Sequence, residues 1–441
     1  EASEQAIKMF ELNLKPLLMQ PPVKNKVTMG WDPAFRTGCK ICVVDGTGKV
    51  LDKTVVYPTP PQNKTEEAKK ILKELIAKYG VEVISCGNGT ASKESEIFIA
   101  ELIREIKEET GREVGYVIVN EAGASVYSAS PLGAEEFPDY DVTARSAVSI
   151  ARRLQDPLAE LIKIDPKSIG VGQYQHDMNE KRLDSALSGV LEDCVNSVGV
   201  DLNTASVSLL RYIAGLNAAV AKNIVAYREE NGKFTSRKQL LKVPKLGEKA
   251  YTQCAGFLRI DGGENILDNT AVHPESYAKA EKLLSLFSYT KEDVRARRIS
   301  DLRERLKAYG TDKAAKETDL DKATLSDIVT ELMKPGRDIR EALPAPMLRK
   351  DILGIEDLKP GMELMGTVRN VVDFGAFIDI GVHQDGLVHI SEITDDRYIR
   401  HPSEALTVGQ VVKVTVKDVD LKRNRIALTM KKKREKSGKT T

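Results

Sequence analysis

The sequence contains no apolar run near the roughly 20 consecutive residues that cross a bilayer, and no stretch laid out like a secretory signal. A membrane-embedded or exported chain is therefore not what it describes; the expectation is a cytoplasmic protein with no membrane contact. Cysteine is scarce and odd in number: Cys39, Cys42, Cys86, Cys194 and Cys254. Most lie in apolar runs, which fits reduced, packed thiols rather than a disulfide framework. Cys39 and Cys42 do form a C-x-x-C, but they fall in a predicted strand. A spacing of three points them to opposite faces there, and no second pair or histidine follows. An excess of one charge is missing too: 66 Lys and Arg meet 65 Asp and Glu, for a net charge of +1. That excludes a uniformly basic nucleic-acid coat. The one lopsided stretch, KRNRIALTMKKKREKSGK from Lys422 to Lys439, has Glu435 as its single acid. Its end, residues 433–441, reads as a solvated basic tail, able also to reach phosphates beside a base-binding domain.

What is present is length and alternation. At 441 residues the chain needs three or four domains, and the expected class is multidomain α+β. Residues 1–24 hold an amphipathic piece, Glu4 to Leu18, that stops at Pro21-Pro22 and carries no start signal. It reads as the end of a helical region preceding residue 1. Residues 25–160 read as an α/β domain. Strands are predicted over Lys26–Asp32, Lys40–Asp45 and Val50–Tyr57, with the turn Asp45-Gly46-Thr47-Gly48 joining the last two. A helix follows over Thr65–Tyr79, a strand over Val81–Cys86, a helix over Ser92–Glu109, a strand over Gly115–Asn120, and a helix from about Thr143 to Ile162. Three antiparallel strands followed by alternating helix and strand is the order of the ribonuclease-H-like fold.

In that fold the end of the first strand carries a carboxylate, here Asp32 in MGWDP. Glu121, in VNEAGAS, sits just past a later strand. Paired acids at adjacent strand ends are candidate catalytic residues, able to hold magnesium for phosphodiester cleavage. That chemistry needs three or four converging acids. The next helix instead begins DVTARSAVSIARR, with Asp141 at or before its start and Arg145 in its first turn, where an arginine repels metal. The favoured reading is a fold kept for packing or binding, not an enzyme, with no cofactor; magnesium belongs only to the nuclease alternative. The loop Gly87-Asn88-Gly89-Thr90, with Ser92 as expected helix cap, reads as a plain turn, phosphate holding being the sharper alternative. Tyr174, His176 and Asp177, in a helical connector over 161–195, form a polar group without metal spacing.

Residues 196–262 contain a repeat. LLRYIAGLNAAVAKNIVAYREENG and QLLKVPKLGEKAYTQCAGFL each read as helix, glycine-containing turn, helix, the pattern of the helix-hairpin-helix. Exposed amides at the second helix face a phosphate, aided by the helix dipole and needing no base. Gly215 and Gly247 let the backbone approach, and Lys222, Lys245 and Lys249 add charge. With Asn217 after Leu216, the first hairpin is expected to be the weaker site. The alternative is a pair of hairpins used for protein contact. Residues 263–358 read as a charged helical connector. Residues 359–432 read as a five-stranded OB-fold barrel: alternation at period two, glycines at 375, 381 and 386, and aromatics Phe374 and Phe377 beside a glycine-alanine pair. Phe374, Phe377 and His389 are placed on its central face, with Asp420 and Arg425 on its final hairpin. Stacking there is worth ~1–3 kcal/mol per base.

PGMELMGTVRNVVDFGAFIDIGVHQDGLVHISE closely resembles the S-one RNA-binding domain. Phe374, Phe377, His389, Asp420 and Arg425 fall where that family carries RNA-contacting residues. Residues 201–262 resemble paired helix-hairpin-helix modules, and 25–145 the YqgF domain. Together with NEAGASVYSAS, SIARRLQDPLAELIKIDPKSIGVGQYQHD and DNTAVHPESY, the order is similar throughout to the bacterial transcription accessory family Tex. The resemblance implies a nucleic-acid-binding factor linked to transcription, and a missing N-terminal helical region. The expected partners are RNA or DNA and, through the helical middle, RNA polymerase or the ribosome; a monomer is expected.

Overall fold

The computed structural model describes residues 2–172, 175–343, 345–346, 348–349, 358–382, 384–395, 399–421 and 423–431. The chain divides into two compact units, Glu1–Leu183 with Leu343–Thr441, and Asp184–Ala342.

The first unit opens with α1 (Ala2–Leu18), whose Ile7, Phe10, Leu14 and Leu18 are buried at helical spacing. A five-stranded sheet follows: β1 (Thr28–Asp32), β2 (Cys39–Val44), β3 (Val50–Val56), β4 (Val83–Gly87) and β5 (Gly115–Val119), in the order β3-β2-β1-β4-β5. β1, β2 and β3 pair antiparallel, while β1–β4 and β4–β5 are parallel, as the element order implies. Asp45 sets the β2–β3 turn by accepting from the amides of Thr47 (2.8 Å) and Lys49 (3.0 Å). α2 (Thr65–Tyr79) and α3 (Ser92–Thr110) cover one face of the sheet, and Cys39 belongs to that core. Cys42 lies in the core on the other face, against Ala147, Val148 and Ala151. The alternation argument for the C-x-x-C therefore holds.

Three local expectations change. Ser92 begins α3 but does not cap it; the cap position is Ala91, with φ 69° and no side-chain bond. Two short helices, α4 (Ala124–Ala129) and α5 (Pro131–Glu136), are too brief to show periodicity. The long helix expected to Ile162 is two, α6 (Val142–Gln155) and α7 (Pro157–Leu161). Pro157 forces the preceding Asp156 into extended backbone (φ −150°, ψ 97°), and the Asp156 carboxylate then caps α7 at Ala159 N.

The second unit contains the rest of α8 (Glu180–Val198), the two-stranded pair β6 (Val200–Asp201) with β7 (Leu258–Arg259), and the hairpin helices α9 (Val207–Leu210), α10 (Ala218–Asn231) and α11 (Glu248–Cys254). Residues 263–342 are more than a connector. Helices α12 (Tyr277–Leu286), α13 (Lys291–Arg295), α14 (Leu302–Tyr309), α15 (Thr311–Thr318) and α16 (Lys322–Met333) close around their own core, which includes Leu283, Leu302, Leu325 and Leu332.

The chain returns to the first unit and ends in a closed barrel. Its strands β8 (Glu363–Val372), β9 (Gly375–Asp379), β10 (Gly386–His389), β11 (Val411–Asp420) and β12 (Arg425–Thr429) run in the order β10-β12-β11-β8-β9. Alternate residues fill it: Ala376 and Ile378, Val388, Val414 and Val416, Ile426 and Leu428. The expected basic tail lies outside the described residues.

Arg349 ties barrel to sheet. Its backbone makes an antiparallel bridge to Tyr116 on the edge strand β5, with N–H to O distances of 2.8 and 2.9 Å. Its buried guanidinium pairs with Glu96 of α3 and with Asp379 of β9. Arg369 also bonds Asp379, Nε at 3.0 Å, and the Gly381 amide caps the other oxygen at 3.0 Å. Burial alone would raise the Asp379 carboxyl; Arg349 and Arg369 outweigh it and hold it below the usual carboxylate range. Arg349→Met removes the guanidinium shared by partly buried Glu96 and buried Asp379, leaving Asp379 only Arg369 as its cation, and is expected to destabilise the first unit by about 3 kcal/mol. Denaturant unfolding checks this, with Arg349→Lys recovering only part of the loss because it lacks the two-pronged donor geometry.

Candidate nucleic-acid interface

The barrel's outer face is built by alternation. With Ala376 and Ile378 inside, Phe377 must point out; with Val388 inside, Leu387 and His389 must. Phe377 sits across from Leu387, and Gly375 across from His389. A Cβ on Gly375 would lie 2.3 Å from the Val388 carbonyl, so only glycine lets β10 approach between the two aromatics. Phe374 is 51% exposed and meets Phe377 edge to face, centroids 6.3 Å apart at 87°. His389 Nδ1 accepts from the Ser391 amide at 3.3 Å and contacts Ser391 Oγ at 2.8 Å. The neutral ring therefore carries its proton on Nε2, as a donor away from that cap. His401 is held alike by the Ser403 amide (3.1 Å), which leaves Nε2 to bond Asp373 beside Phe374 at 3.1 Å. Sequence reasoning passed over His401; its His-Pro-Ser cap repeats the His-Ile-Ser of 389–391. Asp420 and Arg425 are a cross-strand pair where β11 turns into β12. β12 lies on the other side of β10 from β9, and its Ala427 pairs with Leu387.

The hairpins repeat more strictly than their glycines suggest. Ser206 and Ser236 each cap the first helix, and buried Leu210, Ile213 and partly buried Leu216 match buried Leu240, Val243 and Leu246. In that frame Gly215 (φ 81°) matches Lys245 (φ 66°), and Gly247 matches Asn217. The two glycines are not equivalent. A Cβ on Gly215 would fall 2.5 Å from Gln253 Cβ, so that bare backbone is needed for packing against α11; around Gly247 nothing lies within 4 Å. Asn217 caps α10 by accepting from Val220 N at 3.0 Å, whereas Gly247 offers no side-chain cap to α11. The second turn thus keeps open amides, with exposed Lys242, Lys245 and Lys249 around it. Lys222 is exposed on α10.

Asp32 and Glu121 do come together at the strand ends. Burial, then the Glu121 charge, raise the Asp32 carboxyl to about 6 against the pull of Lys40. Burial also raises Glu121, opposed by the Gly89 amide and Arg153. A Cβ on Gly89 would fall 1.8 Å from Glu121 Oε1, and one on Gly87 2.2 Å from Oε2. The loop read as a turn, or as a phosphate cradle, is occupied by the chain's own carboxylate. Asn88 Oδ1 completes it by accepting from Glu121 N at 3.0 Å. Sequence reasoning missed Arg153. It is buried, and its Nη1 bonds the carbonyls of Asn120 (2.6 Å) and Ala122 (3.0 Å), either side of Glu121. Asp141 caps α6 by accepting from Ala144 N at 2.7 Å, and Arg145 ties down the α4–α5 segment through the carbonyls of Phe137 and Ser128, both at 3.1 Å. Among the described residues no third acid, histidine or cysteine joins the pair in a group able to hold a metal. Two carboxylates backed by a fixed guanidinium do not fit a two-magnesium clamp. His176 and Asp177 are an exposed contact at 3.4 Å; Tyr174 lies outside the described residues.

Because the folded Asp32 holds its proton more tightly than the unfolded one, its contribution to stability is complete below about pH 4 and is lost as pH rises through about 6. Asp32→Asn should therefore stabilise the protein at pH 7.5, by on the order of 2–3 kcal/mol, and by much less at pH 4.5. Thermal unfolding at the two pH values checks it.

Known proteins supply an independent measure of these modules. Residues 26–155 match the Tex protein YqgF-like domain, 195–259 a helix-hairpin-helix motif, 265–340 an HHH domain and 357–431 the S1 RNA binding domain. The match over 265–340 falls on the segment read from sequence as a connector. The chain is 53% identical over 98% of its length to "Uncharacterized protein YdcI" of Bacillus subtilis, covering 59% of that protein. It is 52% identical over 99% of its length to "Transcriptional accessory protein Tex" of Neisseria gonorrhoeae, covering 56% of it. It is 38% identical over 98% of its length to the human "S1 RNA-binding domain-containing protein 1", covering 48% of it. The chain thus spans about half the length of the curated relatives it matches. With YqgF-like, helix-hairpin-helix and S1 domains in order, the chain is about half identical along nearly its whole length to relatives that include two named as Tex proteins.

Proposed function

We propose that this chain is the nucleic-acid-binding portion of a cytoplasmic transcription accessory factor. It holds single-stranded RNA, or another single strand, by base stacking on the barrel and phosphate contacts at the hairpins. The observation that carries the reading is the edge-to-face pair of exposed Phe374 and half-buried Phe377 beside the outward His389, the arrangement on which bases stack irrespective of sequence. Lys245 and Lys249 flank the open turn at Gly247, where a backbone phosphate meets amides and cations together. The transcription link rests on relatives such as the one named "Transcriptional accessory protein Tex". RNA polymerase or the ribosome is the partner class inferred from that link, met by a monomer. A pull-down with and without nuclease treatment separates direct contact from contact bridged by nucleic acid. Among the described residues no helix is long and apolar enough to cross a membrane.

Cleavage is the second reading, favoured by the convergence of Asp32 and Glu121. It requires magnesium- or manganese-dependent hydrolysis of some DNA or RNA above that of Asp32→Asn. We expect none across a panel of substrates, the binding role needing no cofactor. Replacing Phe374 and Phe377 by Ala should weaken single-strand binding by about 1–3 kcal/mol per base unstacked, while far-UV circular dichroism stays unchanged. Equal affinity would sink the stacking model. Lys245→Ala with Lys249→Ala should weaken binding evenly across sequences. The slope of log affinity against log salt should fall by about 0.7–0.9 for each phosphate that the lysines no longer neutralise.

A further inference from the structure

A buried arginine lines a cavity beside the first hairpin. Arg259, on β7, is 9% exposed. Its Nη1 bonds the Arg337 carbonyl, while its Nε is sealed from solvent without a partner. Another buried arginine of the same unit shows what a purely structural one looks like. Arg237 places Nε on the Leu258 carbonyl (2.7 Å), Nη1 on the Val272 carbonyl (2.8 Å) and Tyr277 Oη (2.7 Å), and Nη2 on the Thr270 carbonyl. Arg259 has no such set, nor a carboxylate ion pair among the described residues. Of the acids nearest it, Glu331 accepts from the Ala271 amide at 2.8 Å, and Asp338 is taken by Arg340 at 2.9 Å. Those carboxylates act on Arg259 only from a distance, and a buried guanidinium with an unpartnered Nε is costly unless a further anion completes it.

Space for that anion adjoins the side chain. A cavity of about 310 Å³ is lined by Arg259 together with Asn196, Ser197, Gln253, Phe257 and His273. Gly199 (φ 74°) lets the guanidinium lie there, since a Cβ at that position would fall 2.9 Å from Nε. Two lining residues also touch the first hairpin's turn. Asn196 accepts from the Ala214 amide at 3.0 Å and donates to the Tyr212 carbonyl at 3.1 Å, and Gln253 packs where a Gly215 side chain would be. Asn196 and His273 are engaged by backbone groups. Exposed Ser197 and Gln253 are the rim groups placed to complete an oxyanion's hydrogen bonds.

We propose that this cavity seats a phosphate of the nucleic-acid strand lying across the first hairpin, with Arg259 as its countercharge. The assignment rests on the nucleic-acid reading above. It gives the first turn, whose amides are capped by Asn217, a side-chain phosphate site in place of a backbone one.

The test compares wild type with Arg259→Gln and Gln253→Glu in titrations of a single-stranded oligonucleotide from 50 to 200 mM salt. Gln253→Glu alters only an exposed rim residue at nearly constant shape, so it reports even if Arg259→Gln unfolds the domain. Arg259→Gln is expected to weaken binding about tenfold at low salt and to lower the salt slope by about 0.7–0.9, one phosphate's worth. Gln253→Glu should weaken it about threefold, less at high salt. Full affinity in both variants overturns this site and leaves the barrel reading standing. Wild type that binds no oligonucleotide overturns both. A rise in Tm with inorganic phosphate that only wild type shows, with unchanged oligonucleotide affinity, identifies a site for the free ion and overturns the strand assignment.

Discussion

The first unit hangs on one buried guanidinium. Arg349 makes a backbone bridge to Tyr116 on the outermost strand of the sheet and an ion pair to Asp379 on the barrel. The bridge occupies part of an edge that would otherwise present free amides and carbonyls. Such a pair is weak evidence for net stability, because removing two charges from water offsets most of their attraction. Its value is directional. A carboxylate between Arg349 and Arg369 and capped by the Gly381 amide fixes the barrel in one orientation that a greasy contact would leave open. Asp379 and Phe377 lie two apart on β9 and point the same way. One end of that strand's outer face is therefore buried for docking, and the other is left bare, with Phe374 half exposed at the turn before it.

That division also bears on how a chain with a net charge of +1 would hold a polyanion, as proposed. Many of its cations face inward. Arg145, Arg153 and Arg237 bind backbone carbonyls, and Arg340 is locked onto Asp338. Lys69 and Lys73 are absorbed by the glutamates of α3. The lysines around the Gly247 turn stay exposed beside open amides. On the proposed reading, local placement rather than total charge sets where a phosphate would be held.

Much of this architecture was legible in the sequence, for a physical reason. Strand order follows from element order, and the barrel's two faces follow from period-two alternation, so Phe377 and His389 could be set on the outside without coordinates. Short-range chemistry was legible only where it was weighed. Pro157 announces the break between α6 and α7, yet the apolar periodicity on either side reads as one helix. The hairpin frame was legible too: Asn217 follows Leu216 where Gly247 follows Leu246, and the buried Leu210, Ile213 and Leu240, Val243 keep that frame, with Lys245 as the partner of Gly215. The core of 265–340 was hidden because its apolar residues are spread over five short helices among mixed charges. Nothing in SIARRLQD distinguishes Arg153 from Arg152, although one is buried beneath Glu121 and the other bonds the Gly48 carbonyl at 2.8 Å. Burial of an arginine is a tertiary fact with no periodic signature.

At the strand ends two acids converge without a third metal-ligating group among the described residues. Cleavage by two metals needs carboxylates that gather cations at the reacting phosphate. Here Gly87 and Gly89 open just enough space for Glu121 to fold back, and the Gly89 amide donates to it. The positive end of the loop is thereby neutralised from within. Arg153, locked on the carbonyls flanking Glu121, supplies a fixed cation that does not exchange as a metal ion would. What the two acids retain is mutual repulsion, relieved by the raised proton affinity of Asp32. A carboxylate pair so enclosed offers a nucleic-acid backbone no attraction of its own. On the proposed reading the strand is left to surfaces that offer amides, cations and aromatic faces, which this chain builds at the hairpins and on the barrel.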